Sequence, residues 1–410
     1  MAIVSNAQLW DYLRETNPSF ASHTAAATEA LFTEKGYEQL KREDIAAIDE
    51  FFQLSLRVAF QKIDVSTARN PLEGDSGFVE VYDTPNGGYV QRIAVDSIKP
   101  VSPAYKGLST GDSPDPFVVR KPSSNERFFA QNFDYQSFIS VQEVMVKRIF
   151  LEEYGMSAYI AGIMQGLQNG YTIQRYENIL ECLNTAINSQ DNPLQDSQQV
   201  VITSWTGSTD NLKSFVLLMK DIATAMEVSP QTDAFNANGF ATSVRASDHV
   251  LLVRAGLKNQ IEVELEVGAF NPDRLALPFE IKEVENFGGI YYQATVGGVD
   301  NVRVYPAVDQ FGAKVDGKWV TTEGGSVDDA VTVSNLVAID PNADVIAVIA
   351  QKGVVFENVQ NAYSVRPIFN PRGLYTNYWA DAANNAVCYD ANYDLVTVKA
   401  IASSILPIGG

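Results

Sequence analysis

The side chains that enzymes commonly use for acid–base and nucleophilic chemistry are scarce in this chain. It has two histidines, His23 and His249, and two cysteines, Cys182 and Cys388, and neither pair has the spacing of a metal site. It has neither a phosphate-binding loop nor a Gly-x-Gly-x-x-Gly motif after a strand. We therefore predict that the protein is not an enzyme and has no catalytic residue, no cofactor, no cofactor-binding residue and no metal site.

Composition limits the remaining classes of function. The 410 residues are 46% hydrophobic and 20% charged, which is typical of a soluble globular chain of two or three domains. The net charge of −20 disfavours direct binding to nucleic acid. No stretch of about 18 apolar residues is present, so we predict no membrane partner. The 50 acidic residues leave a hydrolase with paired carboxylates as an alternative, although no spacing marks a particular pair.

Residues 247–287 are the stretch around which the rest of the chain is organised. They begin with an apolar run at 249–253 and end with another at 279–284, each short enough for a buried strand. Between them, residues 257–268 fit two patterns. Apolar residues at every fourth position indicate a helix, whereas alternation with glutamates indicates a strand. Periodicity alone favours the strand.

Residues 74–125 form a segment in which prolines and glycines separate short strand patterns. We predict strands at 78–82, 89–95 and 117–119, with a turn at 85–88. The segment is too poor in apolar residues to form its own core, and a two-stranded ribbon is only marginally stable alone in water. We therefore expect it to lie on another copy of the chain, with a disordered surface insertion as the alternative.

Helix and strand patterns alternate along the rest of the chain. Predicted helices lie within residues 1–65, at 137–152, at 171–187 with Thr172 as N-cap, and at 209–226. Predicted strands lie at 200–204, 345–350, 354–356 and 395–401. Four further runs, at 291–296, 302–305, 318–321 and 331–339, indicate a β-rich insertion.

Two sequence blocks resemble the major capsid proteins of tailed bacteriophages. The turn Ala269-Phe270-Asn271 is similar to one in the A-domain of the fold first seen in the Hong Kong phage shell. The resemblance implies that residues 257–268, just before this turn, are helical.

The second block begins Asn370-Pro371-Arg372-Gly373 and ends at Trp379. It is similar to the signature of capsid proteins from small podoviruses with protein-primed genomes. The two blocks occur in the right order, and the resemblance covers about residues 78–398.

The resemblance implies an α+β fold of the Hong Kong phage type. In that family an N-terminal arm lies over neighbouring subunits, and the strand at 395–401 closes the P-domain sheet. For the N-terminal helical segment, the alternative is a helical part of the subunit's own core. The implied parts are an N-terminal helical arm (1–73), an E-loop hairpin (74–126), a P-domain with a long spine helix (127–198), an A-domain (199–289), a β-rich insertion in that A-domain (290–342), the A-domain return (343–380) and the P-domain return (381–410).

The implied function is that of a major capsid protein that self-assembles into an icosahedral phage head around double-stranded DNA. The implied partners are other copies in pentamers and hexamers, a portal, a scaffolding protein, and DNA held by enclosure without sequence-specific binding. The implied location is the virion, after assembly in the host bacterial cytoplasm. An encapsulin-type compartment of the same fold is an alternative.

Residues expected at subunit contacts come from the two segments that the resemblance singles out. The cations of the ribbon are expected to pair with the acidic body of a neighbour, and the aromatic residues of the second block suit a packed junction. The candidates are Tyr89, Arg92, Lys99, Lys106, Arg120, Lys121, Asn370, Arg372, Tyr375 and Trp379.

Overall fold

The computed structural model combines six described helices with sixteen described strands. It describes residues 5–28, 30–44, 47–48, 50–51, 54–55, 72, 78–83, 89–96, 123–130, 133–142, 147, 150–151, 155–190, 193–228, 235–240, 243–263, 277–310, 314–359, 364–370 and 375–401. The helices are α1 (Asn6–Thr16), α2 (Pro18–His23), α3 (Glu34–Glu43), α4 (Gly155–Ile187), α5 (Thr209–Val228) and α6 (Leu257–Ile261). The strands are β1 (Val79–Asp83), β2 (Tyr89–Val95), β3 (Ser124–Ala130), β4 (Phe133–Gln142), β5 (Gln199–Thr203), β6 (His249–Arg254), β7 (Glu280–Val284), β8 (Tyr291–Val296), β9 (Val299–Val308), β10 (Lys314–Val320), β11 (Val333–Ile339), β12 (Val345–Gln351), β13 (Val355–Val359), β14 (Ser364–Asn370), β15 (Tyr375–Tyr389) and β16 (Leu395–Ile401).

A central sheet of five strands has the order β5-β16-β12-β6-β7. The edge strands β5 and β7 run parallel to their neighbours, and β12 is antiparallel to both β6 and β16. Leu251 and Val253 of β6 pack in one cluster with α5, whereas Val250 and Leu252 pack in another with the C-terminal half of α4. Helices thus cover both faces, which is why its inner strands are continuous apolar runs.

A second, long sheet has the order β1-β13-β15-β14, with β4 also paired to β15. β14 and β4 flank the N-terminal half of β15, and β13 pairs with its C-terminal end. Tyr378 and Ala380 of β15 pack with Ile163 and Leu167 of α4 in one buried cluster. Helix α4 therefore contributes to the cores of both sheets.

The sheet membership of the C-terminal strand differs from the expectation. Leu395–Ile401 was expected to close the P-domain sheet, but it lies in the central sheet, antiparallel to β12 and parallel to β5. Leu395, Val396 and Val398 are all fully buried, so this strand presents apolar residues to both faces. Such a strand suits the sheet that has helices on both sides.

Two helix predictions were wrong in extent. Residues 137–142 of the helix expected at 137–152 belong to β4, because Tyr135 and Val141 are buried in a strand paired with β15 along nearly its whole length. Helix α4 begins at Gly155, sixteen residues before the expected start. Thr172 is therefore inside the helix, where its hydroxyl donates to the Gln168 carbonyl oxygen at 3.0 Å, and it is not an N-cap.

The first half of α4 contains glycines, which in a helix can permit close packing of a neighbouring element. Within the described part of the chain, no atom lies within 4 Å of a Cβ added at Gly162 or Gly166. A larger side chain would therefore fit at both positions in the subunit, so close packing does not require glycine there.

Replacing Gly162 with alanine is expected to stabilise the unassembled subunit by about 0.5–1 kcal/mol, because glycine loses more backbone entropy in a helix. Urea unfolding would measure the change. The matched control is Gly170→Ala in the same helix, whose Cβ would lie 2.9 Å from the Tyr135 hydroxyl oxygen. A loss of stability in the Gly162 variant would contradict the prediction.

The N-terminal helices pack on their own subunit. Trp10 of α1 has its ring centroid 4.9 Å from that of Phe20, 5.0 Å from Phe51 and 6.3 Å from Phe150. These rings share a buried cluster with Val141 and residues of α4 and β15. The described residues of this segment therefore contribute to the subunit's own core, as the alternative interpretation expected, and contact of the arm with neighbouring subunits stays a prediction.

The predicted β-rich insertion is a separate four-stranded sheet with the order β10-β9-β8-β11. Its attachment is a polar junction on α4. The Asn342 amide donates to the Asn184 side-chain oxygen at 2.9 Å and to the carbonyl oxygens of Phe287 and Gly288 at 3.3 Å each. The Gly289 amide donates to a Glu181 carboxylate oxygen at 2.9 Å.

The ambiguous segment after β6 begins as a helix. Helix α6 spans Leu257–Ile261, and residues 262–263 continue a helical turn. The helical reading implied by the resemblance is confirmed to that point. The rest of the predicted helix, the Ala269-Phe270-Asn271 turn and the strand predicted at 117–119 lie outside the described residues.

A buried ion pair joins α4 to the long sheet. Arg175 of α4 pairs with Glu357 of β13, whose side chain is fully buried. Burial raises the pKa of Glu357 above its ordinary value of 4.5, and the attraction of Arg175 only partly offsets that effect. The stability due to this group is therefore fully present below the unfolded pKa and is lost as the pH rises through the folded pKa.

Glu357→Gln resembles the protonated state at every pH. Its stability relative to the unaltered chain is therefore expected to increase from pH 4.5 to pH 8, as measured by urea midpoints at both values. Glu177→Gln, an exposed change on the same helix, is the control and should show no such trend. The prediction would be contradicted if Glu357→Gln and the unaltered chain differed in stability by the same amount at the two pH values.

Candidate subunit interface

Strands β2 and β3 form a two-stranded antiparallel ribbon with two different faces. Their register pairs Tyr89 with Ala130 and Val95 with Ser124, and exposure alternates along both strands. Because directly paired residues point to the same side of a ribbon, the exposed residues share one outer face and the others share one inner face.

The outer face is exposed and carries four large apolar side chains beside a hydrogen-bonded pair, Gln91 and Glu126. Tyr89 is 70% exposed, Ile93 61%, Val95 57% and Phe128 64%. Four large apolar side chains on one face of a small ribbon make a patch of the kind that marks protein contacts. Tyr89, a predicted contact residue, thus lies on a surface that suits such a contact.

The inner face rests on the ribbon's own subunit. Phe129 meets Phe356 of β13 with ring centroids 4.8 Å apart, and the Asn125 amide donates to the Asn238 side-chain oxygen at 2.7 Å. Arg92 lies between these two contacts. The ribbon was expected to lie on another copy, and the structure shows that its inner face packs within the chain.

Arg92 has its partners in the same chain. Its guanidinium pairs with Glu80 at 3.0 Å and with the buried Asp390 at 3.2 Å, and its Cζ lies 4.0 Å from the ring centroid of Phe356. Burial alone would lower the pKa of Arg92, but Tyr393, Tyr82 and Asp390 together raise it. The expected pairing of Arg92 with an acidic neighbour is thus replaced by pairing inside the subunit.

The second predicted block forms an outward face of the long sheet. Residues 370 and 375 are paired with each other at the ends of β14 and β15. The Asn370 amide donates to the Tyr375 hydroxyl oxygen at 2.8 Å, and Trp379 stacks on Phe138 of β4 with ring centroids 4.7 Å apart. All three predicted residues therefore lie on one surface of paired strands.

Not every predicted contact residue can be placed, and sequence reasoning missed several. Lys99, Lys106, Arg120, Lys121 and Arg372 lie outside the described residues. The missed residues are Ile93, Val95, Asn125, Phe128 and Phe129. No sequence signal marked the last three, because residues 124–130 are four polar residues followed by three apolar ones and so do not alternate with strand period.

The described residues offer no arrangement that resembles a catalytic centre. His249 is buried, with Nδ1 2.9 Å from the Arg245 carbonyl oxygen and Nε2 3.5 Å from Asp394. Among the described side chains, none form a group of three or more that could hold a metal ion. Over the same residues, no helix is both long and apolar enough to cross a membrane.

Residues 14–389 match the model of the family described as Phi29-like phage major capsid protein. The chain belongs to this family. It is therefore a capsid-forming protein of a phage virion, as the two sequence blocks predicted. The match favours this function over the encapsulin-type and hydrolase alternatives.

Solved structures support the fold of this capsid protein. A chain in the structure of the head fiber and inner core protein gp22 of native bacteriophage P68 is 12% identical, with 82% of this chain and 86% of that chain covered and a TM-score of 0.54. A chain in the capsid structure of Staphylococcus phage Andhra is 14% identical, with 83% and 86% covered and a TM-score of 0.54. The Hong Kong phage-type fold is thus confirmed. A comparison with curated protein sequences finds no match.

Proposed function

We propose that this capsid protein assembles into an icosahedral shell of pentamers and hexamers, in which the outer face of the ribbon contacts a neighbouring copy. The observation that supports the contact is the row of exposed apolar side chains Tyr89, Ile93, Val95 and Phe128. Obligate interfaces between copies bury about 2,000–5,000 Å² and are rich in apolar residues. The ribbon is seated by its inner face, so its outer face is free to make such a contact.

The outward face of the long sheet is the second proposed contact. Its stacked Phe138 and Trp379, together with the exposed Ile368, provide an aromatic and aliphatic surface. Arg366, at its margin, lies 3.5 Å from Asp381 and is 72% exposed. The same face also carries hydrogen-bonded polar groups, and such a mixture of apolar and polar groups is typical of protein interfaces.

The proposed content of the shell is double-stranded DNA held by enclosure. A net charge of −20 repels the phosphate backbone, so the protein does not grip the DNA sequence-specifically. A portal and a scaffolding protein are the proposed partners for DNA entry and shell assembly, and the host cytoplasm is the proposed place of assembly. No enzymatic step is part of this proposal.

Negative-stain electron microscopy of the expressed full chain tests the proposal. We expect closed shells of regular diameter, or capsomers that close when a scaffolding protein is supplied. Monomers and small oligomers under both conditions would overturn it. Deletion of residues 85–116 is a poorer test, because it also removes Arg92 and much of the ribbon's seated inner face.

A further inference from the structure

Two connecting segments of the chain, which we call crossings, join the central sheet to the long sheet and lie next to each other. The first, residues 352–354, leads from β12 to β13, and the second, residues 390–394, leads from β15 to β16. They are hydrogen-bonded to each other through the Asp390 amide, which donates to the Val354 carbonyl oxygen at 2.9 Å, and the second crossing is also bonded to the end of β12 through the Gln351 amide, which donates to the Asp394 carbonyl oxygen at 2.9 Å. A change in the angle between the two sheets therefore involves this point as well as helix α4, which packs on both sheets.

One nitrogen of Arg92 contacts both crossings. Its Nη1 donates to the Gly353 carbonyl oxygen in the first crossing at 3.1 Å and to Asp390 Oδ2 in the second at 3.2 Å. Its Nη2 donates to Glu80 Oε2 and to the Tyr82 hydroxyl oxygen on β1, each at 3.0 Å. A planar guanidinium can serve four such acceptors at once, and an ammonium group cannot.

The surroundings keep this arginine in a single position. Its guanidinium carbon lies 4.0 Å from the ring centroid of Phe356, just after the first crossing, and 5.0 Å from that of Tyr393 in the second crossing. The Asp390 side chain is 1% exposed. A buried carboxylate held by a cation in this way resists separation, because separation would leave it unpaired.

We propose that Arg92 clamps the junction of the two sheets and so ties the orientation of the ribbon to the angle between them. This inference rests on the proposed contact of the ribbon's outer face with a neighbouring copy. A neighbour that moves the ribbon then changes the angle between the sheets of the same subunit. The ribbon thereby adapts each subunit to a pentameric or hexameric position, and Arg92 is the positioning residue for this change.

Hydrogen exchange of the unassembled full chain tests the clamp directly. Arg92→Lys keeps the positive charge but replaces the planar guanidinium with an ammonium group. We expect the backbone amides of both crossings to exchange about tenfold faster or more, with β6 unchanged. Arg366→Lys, an exposed change on the long sheet, is the control and should alter neither crossing. Faster exchange confined to the ribbon, or spread equally over β6, would overturn the proposal.

Asp390→Asn provides a second variant, because it removes the carboxylate and leaves Arg92 in place. We expect the same pattern in both crossings. The shells formed by either variant should spread over more than one diameter in electron micrographs, and a single diameter equal to that of the unaltered chain would overturn the coupling. Exchange in free subunits does not depend on assembly, so a chain that forms no shells would refute the proposed function without deciding the exchange result.

Discussion

Phe128→Asp should give a folded subunit that forms no shells. Phe128 is 64% exposed on the outer face of the ribbon, so its replacement should change the free energy of unfolding by about 0.5 kcal/mol or less. At the proposed contact, loss of a buried aromatic anchor costs about 2 kcal/mol or more, and the new carboxylate would be desolvated against another strongly acidic copy. Each copy repeats this loss, so closed shells should disappear.

Size-exclusion chromatography and electron microscopy would measure assembly, and urea unfolding would measure subunit stability. The matched control is Val299→Asp on the insertion, since Val299 is 61% exposed and lies outside the ribbon. Shells of normal size and yield from the Phe128 variant would remove the outer face from the proposed interface.

Gly288→Ala should destabilise the subunit by about 2–5 kcal/mol. Gly288 has a φ of +77°, which costs an L-residue roughly 1–2 kcal/mol, and its added Cβ would lie 2.2 Å from the Leu180 carbonyl oxygen. That oxygen belongs to the backbone of α4, so the helix itself would have to move, at a further cost of about 1–3 kcal/mol.

The second glycine of the β8–β9 turn separates the two contributions. Gly298 has a φ of +84°, and none of the described atoms lies within 4 Å of a Cβ added there. Gly298→Ala should therefore cost only the backbone strain of about 1–2 kcal/mol. Urea unfolding of both variants measures the difference. Equal losses of stability would show that the close contact between residue 288 and α4 has no energetic cost.

The sequence predicts an element correctly where a short run of residues already shows that its side chains are buried. The apolar runs at 249–253 and 345–350 are buried on both faces, so their composition alone identifies them as strands of a covered sheet. Helix α4 was predicted only from residue 171, because Gly155, Gly162, Gly166 and Gly170 lower helix propensity before that point. Packing of Ile163 and Leu167 against the long sheet overrides that propensity.

Sheet membership and the seat of the ribbon depend on pairings that sequence patterns do not encode. β16 pairs with β5, almost two hundred residues earlier in the chain. The composition of β16 does not indicate which strand it pairs with. Arg92 was singled out as a cation in the ribbon, but Gly353 and Asp390 are distant in sequence. Strand β3 was missed because one of its two adjacent phenylalanines, Phe128, is exposed.

The attachment of the insertion has a consequence for how the chain tolerates change. Asn342 bonds to the carbonyl oxygens of Phe287 and Gly288, so the chain leaves and rejoins the body at a single point. The residues between Gly288 and Asn342 therefore form an insertion whose length does not affect the path of the rest of the chain. A foreign peptide grafted at Gly297 and Gly298 would accordingly be displayed once per copy, at a spacing set by the capsid lattice.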